Sequence, residues 1–180
     1  MRHVYVGALF PLLLSSVVQA APVDAAACQT VRMSDPGWTD INATNAITGV
    51  LLNGLGYRQE VKNLSVPVGF QGLKAGQVDV FLGNWLPAQQ PLMAKYADSI
   101  ETLATNLPSA KFTLVVPDYV AAAGVKSFHD LTRFADRFEH KIYGIAAGSP
   151  ANQNITKLLK NPDFGLSNWN LVESSETGML

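Results

Sequence analysis

Residues 30–66 read TVRMSDPGWTDINATNAITGVLLNGLGYRQEVKNLSV and contain the first strand–helix–strand unit of the chain. Thr30 to Met33 predicts a short strand, and the turn-forming residues Ser34 to Gly37 follow it. After Asp40, apolar residues recur at the spacing of an amphipathic helix: Ile47, Val50, Leu51 and Leu55. Residues 60–66 predict a second strand. The stretch therefore predicts a β-α-β unit with parallel strands.

The same alternation continues towards the carboxyl end. We predict helices over residues 69–75, 87–97, 128–138 and 150–159, and strands over residues 78–82, 112–116, 141–145 and 170–173. Alternating strands and helices predict an α/β fold whose parallel sheets are covered on both faces. Ligands of such sheets bind beyond the carboxyl ends of the strands. Trp38, Trp85 and Ser149 each follow such an end.

The first residues predict export. Arg2 and His3 precede an apolar run, Val4 to Val18, and small residues follow it. This pattern is typical of a secretory signal peptide, here residues 1–20, and predicts a periplasmic protein. Residues 21–28 predict a flexible mature N-terminus. Cys28 fits a lipoprotein signal poorly, because alanines and an aspartate precede it.

Composition excludes several classes of protein. The chain is 48% hydrophobic with a net charge of −1, so it can bury a core. It lacks the basic stripe typical of proteins that bind nucleic acids or anionic membranes. The sequence motifs of zinc hydrolases, serine hydrolases, P-loops and dinucleotide-binding folds are also missing. We therefore predict a protein without enzymatic activity, cofactor or metal.

Two tryptophans are the main candidates for ligand binding. Trp38 and Trp85 lie in turns rich in glycine, proline and asparagine, away from any periodic apolar face. Packing beneath a loop is the alternative interpretation. Indole faces attract cations, with about 0.5–2 kcal/mol per ring. A trimethylammonium group has no N–H to donate, so aromatic walls suit it.

Three polar residues accompany the tryptophans, and each has a structural alternative. Asp40 either accepts a hydrogen bond from a ligand hydroxyl or caps the following helix. Ser149 precedes a helix that begins at Pro150, so it either helps to bind a polar or anionic group or is an ordinary N-cap. Asn152, in the same helix, is a candidate ligand contact, although an asparagine at such a position is more often solvated.

These residues stand in segments that resemble one family. The choline/glycine betaine substrate-binding proteins of ABC transporters share the segments 34–41 (SDPGWTDI), 64–68 (LSVPV), 79–87 (DVFLGNWLP), 110–114 (AKFTL), 141–145 (KIYGI) and 173–176 (ESSE). The resemblance implies a type II periplasmic binding fold, in which two α/β lobes close around the ligand. It also implies delivery of the ligand to a membrane permease, and no catalysis.

The resemblance further implies roles for individual residues. Choline-binding members hold their ligand between three tryptophans and a tyrosine, with an aspartate and an asparagine on the hydroxyl. Trp38 and Trp85 match two of the tryptophans, and Asp40 matches the aspartate. Phe112 stands at the tyrosine and Ser149 at the asparagine, so the polar end of the site differs. This difference raises carnitine as an alternative to choline.

The resemblance also implies lobe boundaries. Residues 29–116 correspond to the first lobe and residues 117–180 to part of the second, so the sequence resembles a fragment of the family's full length. A third cage tryptophan and a partner for Cys28 are expected beyond Leu180. We therefore expect weak ligand binding or incomplete folding of this chain alone.

The sequence thus predicts an exported monomer that binds a small quaternary ammonium compound, choline first, for a permease of the inner membrane. Carnitine or glycine betaine is the alternative ligand, and a non-functional truncated fragment is the alternative status. Two other classes remain open at this point: a sensory module for the same ligand, and a hydrolase on an α/β scaffold.

Overall fold

The computed structural model describes residues 25–179, so the predicted signal peptide lies outside the described residues. The first sheet has three parallel strands in the order β2-β1-β3. The strands are β1 (Thr30–Asp35), β2 (Arg58–Asn63) and β3 (Val80–Phe81). Their register pairs Thr30 with Arg58 and Met33 with Val80, which brings the carboxyl ends of all three strands to one edge.

Three helices cover this sheet: α1 (Thr39–Gly54), α2 (Val66–Lys74) and α3 (Gln90–Lys95). The core between them centres on Phe70, whose ring meets Phe81 edge-to-face at 5.8 Å and stacks on Tyr96 at 6.1 Å. Trp38 packs against the same core from its edge. The predicted β-α-β unit is therefore confirmed, with parallel pairing.

The second lobe has its own sheet and core. Strands β4 (Lys141–Tyr143) and β5 (Asn170–Val172) pair in parallel. The helices of this lobe are α4 (Asp118–Ala122), α5 (Phe128–Leu131), α6 (Pro150–Lys160) and α7 (Glu176–Met179), with 3-10 turns at Thr132–Phe138 and Pro162–Phe164. Its core consists of Val125, Leu131, Ile142, Ile155, Leu159, Leu166 and Trp169.

The helix α1 is confirmed, but the apolar face that its sequence predicts to be buried is exposed. Its apolar residues Ile47, Val50, Leu51 and Leu55 are 64–74% exposed. The buried face carries Ile41, Asn45 and Gly49 instead. The reason is a polar neighbour: the Gln59 amide nitrogen donates to the Asn45 carbonyl at 2.6 Å, and a Cβ at Gly49 would lie 2.3 Å from the Gln59 amide oxygen.

The predicted strand over residues 112–116 is also wrong. Residues 110–117 have no regular secondary structure, and within residues 25–179 no strand pairs with them. Leu114 and Val116 pack against the second core, whereas Val115 between them is exposed. Residues 114–116 thus alternate like a strand but lack a backbone partner among the described residues. Phe112 is half-exposed and does not continue this alternation.

Two element boundaries differ from the prediction for local reasons. The second strand ends at Asn63 instead of residue 66, because α2 begins at Val66 with Pro67 in its first turn, where proline is favourable. The helix predicted over residues 128–138 breaks after Leu131, and Phe134 has non-helical φ and ψ angles of −118° and 16°.

Within residues 25–179, no helix is both long and apolar enough to span a membrane.

Candidate functional site

A buried carboxylate shapes the turn that carries Trp38. Asp35 is 2% exposed, and its Oδ1 accepts a hydrogen bond from the Gly37 N–H at 2.7 Å. Gly37 has a φ of 81°, a conformation that glycine adopts without strain. The Asn45 amide donates to the other Asp35 oxygen at 3.3 Å. Trp38 is thereby held as the N-cap residue of α1, at the carboxyl end of β1.

A second tight turn carries Trp85 beyond β3. A Cβ at Gly83 would lie 2.8–3.1 Å from the side chains of Phe81 and Ile41, so only glycine fits this approach. Gln89 closes the turn, because its backbone N–H donates to the Trp85 carbonyl at 2.9 Å and its amide nitrogen donates to the Gly83 carbonyl at 3.1 Å.

Ser149 is the N-cap of α6. It is buried, and its Oγ accepts a hydrogen bond from the Asn152 N–H at 3.2 Å. Pro150 follows in the first turn, where its missing N–H has no cost. The N-cap interpretation of Ser149 is therefore confirmed. Its hydroxyl proton remains available to a neighbour.

Asn152 joins three segments of the second lobe. The side chain is 3% exposed. Its Oδ1 accepts from the Ile145 N–H at 3.0 Å, and its Nδ2 donates to the Ile145 carbonyl at 2.8 Å and to Glu173 Oε1 at 3.2 Å. A Cβ at Gly144 would lie 2.3 Å from Asn152 Oδ1, so glycine makes this approach possible. The Asn152 side chain thus fixes the loop that follows β4.

A cleft of about 210 Å³ lies between the lobes and brings most of the predicted site together. Its lining includes five of the six predicted residues: Trp38, Asp40, Trp85, Phe112 and Ser149. The Trp85 and Phe112 rings are 6.3 Å apart and tilted by 46°. Ligand pockets of drug-sized molecules usually measure about 300–1,000 Å³, so this cleft suits a smaller ligand.

Several lining residues escaped prediction: Ala88, Gln89, Lys111, Thr113, Ile145, Pro150, Ala151, Glu176 and Met179. Glu176 belongs to a segment that resembles the family, but nothing in the sequence indicated that it would reach the first lobe. Gln89 follows Trp85 by four residues, and this closeness in the sequence could have indicated that Gln89 lines the same cleft.

Glu176 connects the two lobes. Its Oε2 accepts a hydrogen bond from the Thr39 N–H, in the first turn of α1, at 2.6 Å. Trp38, the N-cap of this helix, has only an N–H donor in its side chain and cannot accept the helix amides. Glu176 therefore supplies the acceptor from the other lobe, and its charge is favourable near a helix N-terminus.

Asp40 lies in the first turn of α1 and is not its N-cap, so the capping alternative is wrong. Partial desolvation at the cleft raises the pKa of the Asp40 carboxyl. The nearby negative charge of Glu176 raises this pKa further, whereas the hydrogen bond from the Ile41 backbone acts in the opposite direction. The carboxylate is thus costly to the folded chain and attractive to a cation.

Replacing Asp40 with asparagine tests this balance. Because the folded pKa is raised, the folded chain binds more protons than the unfolded chain between the ordinary carboxyl pKa of about 3.9 and the raised value. Stability therefore falls as the pH rises through this window. We expect Asp40→Asn to remove that fall, so that the variant unfolds at a higher temperature than the parent at neutral pH.

Thermal unfolding between about pH 3 and pH 7 measures this effect. Asp98→Asn is the matched control, because Asp98 is exposed and lies away from the cleft. An identical pH dependence for the parent and Asp40→Asn would contradict the assigned environment of Asp40.

A second depression lies on the surface of the first lobe, next to Tyr96. The ammonium groups of Lys74 and Lys95 lie 5.9 and 5.2 Å from the centre of the Tyr96 ring. These groups already use the electrostatic attraction of the ring and would repel another cation. This depression is therefore a poor site for a quaternary ammonium ion, unlike the cleft between the lobes.

Comparison with known proteins places the chain in a family. Residues 29–180 match the profile of OpuAC, described as the substrate-binding domain of an ABC-type glycine betaine transport system. The chain belongs to the OpuAC family. This family consists of solute-binding domains, not enzymes. Within residues 25–179, the structure also contains no cluster of side chains able to hold a metal ion.

Solved structures of relatives share the type II periplasmic binding fold. An ABC-transporter choline-binding protein in complex with choline has a TM-score of 0.81 and 43% identity, over 87% of this chain and 55% of that one. Lactococcal OpuAC in complex with glycine betaine has a TM-score of 0.72 and 30% identity, over 84% of this chain and 57% of that one. The chain thus spans about half the length of these structures.

A relative in Chromohalobacter salexigens is 44% identical over 131 residues, which are 72% of this chain and 84% of that protein. It is described as the uncharacterized protein ORF1. The resemblance in the sequence is therefore confirmed at the level of the family and the fold.

Proposed function

We propose that this protein captures a small quaternary ammonium compound, with choline as the first candidate, for uptake by an ABC transporter. One observation supports this most: Trp38, Trp85 and Phe112 line the same cleft as the carboxylate of Asp40. Each aromatic face stabilises a bound cation by about 0.5–2 kcal/mol. The carboxylate adds opposite charge and accepts a hydrogen bond from a ligand hydroxyl.

The two lobes provide the means of capture. Trp38 and Asp40 belong to the first lobe and Ser149 to the second, so a ligand in the cleft touches both. Ligand contacts then favour the closed arrangement, as does the Glu176–Thr39 hydrogen bond. In this proposal the protein acts outside the cytoplasmic membrane, as the predicted signal peptide requires, and passes its ligand to a permease.

Carnitine is a second candidate because of Lys111. This lysine lines the cleft together with Ser149 at the start of α6. A lysine ammonium and a helix N-terminus both favour a carboxylate. A ligand with a trimethylammonium group, a hydroxyl and a carboxylate would use the aromatic faces, Asp40 and Lys111 at once.

Calorimetric titration of the purified chain with choline, carnitine, glycine betaine and dimethylglycine tests the proposal. We expect the trimethylated ligands to bind and dimethylglycine to bind much more weakly, because it retains an N–H that needs a hydrogen-bond acceptor. The order of choline and carnitine decides whether Lys111 takes part. Binding of none of the four ligands by a folded chain that covers the full length of the solved relatives would refute the proposed function, whereas silence of this chain alone would agree with the weak binding expected of it.

A further inference from the structure

Glu176 reaches from the second lobe to the first at the edge of the cleft. It belongs to α7 and is half-buried. Its Oε2 accepts the Thr39 N–H of the first lobe at 2.6 Å. A carboxylate is a stronger acceptor than a neutral group, and its charge is favourable near the N-terminus of a helix such as α1. The bond exists only while the lobes lie together, so it stabilises the closed arrangement.

The same carboxylate adds a second negative charge to the cleft. Glu176 and Asp40 both line it, and Asp40 follows Thr39 directly in α1. The pKa of the Asp40 carboxyl reflects this neighbour, because desolvation raises it and the charge of Glu176 raises it further. Like charges in a partly desolvated site disfavour each other's ionised form. An empty, closed cleft therefore holds two carboxylates that repel each other.

Among the described residues, no side chain forms an ion pair with either carboxylate. Lys111 also lines the cleft, but it is exposed. Asp35 acts on Asp40 as well and carries the same sign of charge. The positive charge that would offset the pair is therefore absent from the lobes themselves, and a cationic ligand would supply it.

We propose that Glu176 makes closure of the cleft depend on a bound cation: its carboxylate holds Thr39 of the first lobe, while its charge repels that of Asp40 until a cation enters. The inference rests on the proposed function and makes Glu176 a positioning residue that favours cationic over neutral ligands. A cation gains the attraction of both carboxylates only when the lobes are together, and this difference shifts the equilibrium towards closure. A neutral ligand of the same shape leaves the repulsion in place.

The test compares two ligands of the same shape that differ in charge. The first is choline and the second its tert-butyl analogue, a neutral alcohol in which carbon replaces the quaternary nitrogen. Glu176→Gln removes the charge and keeps an acceptor for the Thr39 N–H. We expect it to reduce the preference for choline about threefold or more. Glu101→Gln, at an exposed glutamate outside the cleft lining, is the matched control and should leave the preference unchanged.

A second variant separates the hydrogen bond from the charge. Glu176→Ala removes the acceptor as well, so both ligands should bind more weakly to it than to Glu176→Gln, by a similar factor. NMR titration of the Asp40 carboxyl gives a readout that needs no ligand. Its pKa should fall in Glu176→Gln, because the neighbouring negative charge is gone.

The alternatives give different results in these measurements. An unchanged preference in Glu176→Gln would mean that Glu176 acts only as an acceptor for Thr39, and would overturn the inference. An unchanged pKa of Asp40 in this variant, or equal affinities of Glu176→Gln and Glu176→Ala, would overturn it too. The titrations use a chain that binds choline, either this one or one that covers the full length of the solved relatives. If choline binds to neither, the proposed function fails, and this inference fails with it.

Discussion

Replacing Trp85 with alanine is expected to weaken the binding of trimethylated ligands about 10- to 100-fold. The loss of one aromatic face accounts for about 0.5–2 kcal/mol. The rest comes from Phe112, whose ring lies 6.3 Å from that of Trp85 and would lose its neighbour in the cleft wall. Isothermal titration calorimetry with choline measures the effect.

Two further variants make this result specific. Trp85→Phe keeps an aromatic face and should retain part of the affinity. Tyr119→Ala removes an aromatic side chain that is 77% exposed and outside the cleft, so it should leave binding unchanged. Full affinity in Trp85→Ala would mean that the cleft is not the site of cation binding, or that Trp85 only packs beneath its loop.

Replacing Asn152 with alanine is expected to lower the free energy of unfolding by roughly 2–4 kcal/mol. The Asn152 amide connects the loop after β4, the start of α6 and Glu173, and the residue is almost fully buried. Removal of the side chain leaves the Ile145 N–H without a partner, and an unpaired buried group is costly. The Ile145 carbonyl loses one hydrogen bond but keeps the one from the Ser174 N–H at 3.2 Å.

Urea-induced unfolding measures this loss. Asn154→Ala is the control, since Asn154 lies two residues further along the same helix and is exposed. It should change stability by no more than about 0.5 kcal/mol. Equal stability of the two variants would show that the hydrogen bonds of Asn152 contribute little to folding.

The local pattern of the sequence predicted most of the fold. Strand–helix alternation predicted the strands of all three parallel pairs, although β2 (RQEVKN) contains only one apolar residue. It could not identify the buried face of α1. Apolar periodicity pointed to Ile47 and Val50, whereas the packed face depends on Gly49 and on a hydrogen bond from Gln59, a contact between distant residues.

The strand predicted around Phe112 shows a related limit. Alternating apolar residues indicate which side chains share a face, but a strand also needs a neighbouring backbone with free N–H and carbonyl groups. Within the described part of the chain, residues 112–116 do not find one. Sequence patterns carry little information about such long-range partners.

The candidate site was predictable where a residue follows a strand, and not where it comes from a distant segment. Trp38 and Trp85 lie in turns at the carboxyl ends of β1 and β3, which is the position that the α/β rule indicates. Glu176 also lines the cleft, but it lies 137 positions after Thr39, its hydrogen-bond partner. No spacing in the sequence indicates that contact. Asn152 was placed in the right helix, but its burial depends on the close approach of Gly144.

The hydrogen bond from Thr39 to Glu176 gives the molecule a built-in reporter of its own opening. The Thr39 amide hydrogen is held by a carboxylate of the other lobe, so it is released whenever the lobes separate. Its rate of exchange with deuterium in heavy water therefore follows the frequency of opening at this one position. A ligand that holds the lobes together would slow that exchange, and the slowing would register capture without any label on the ligand.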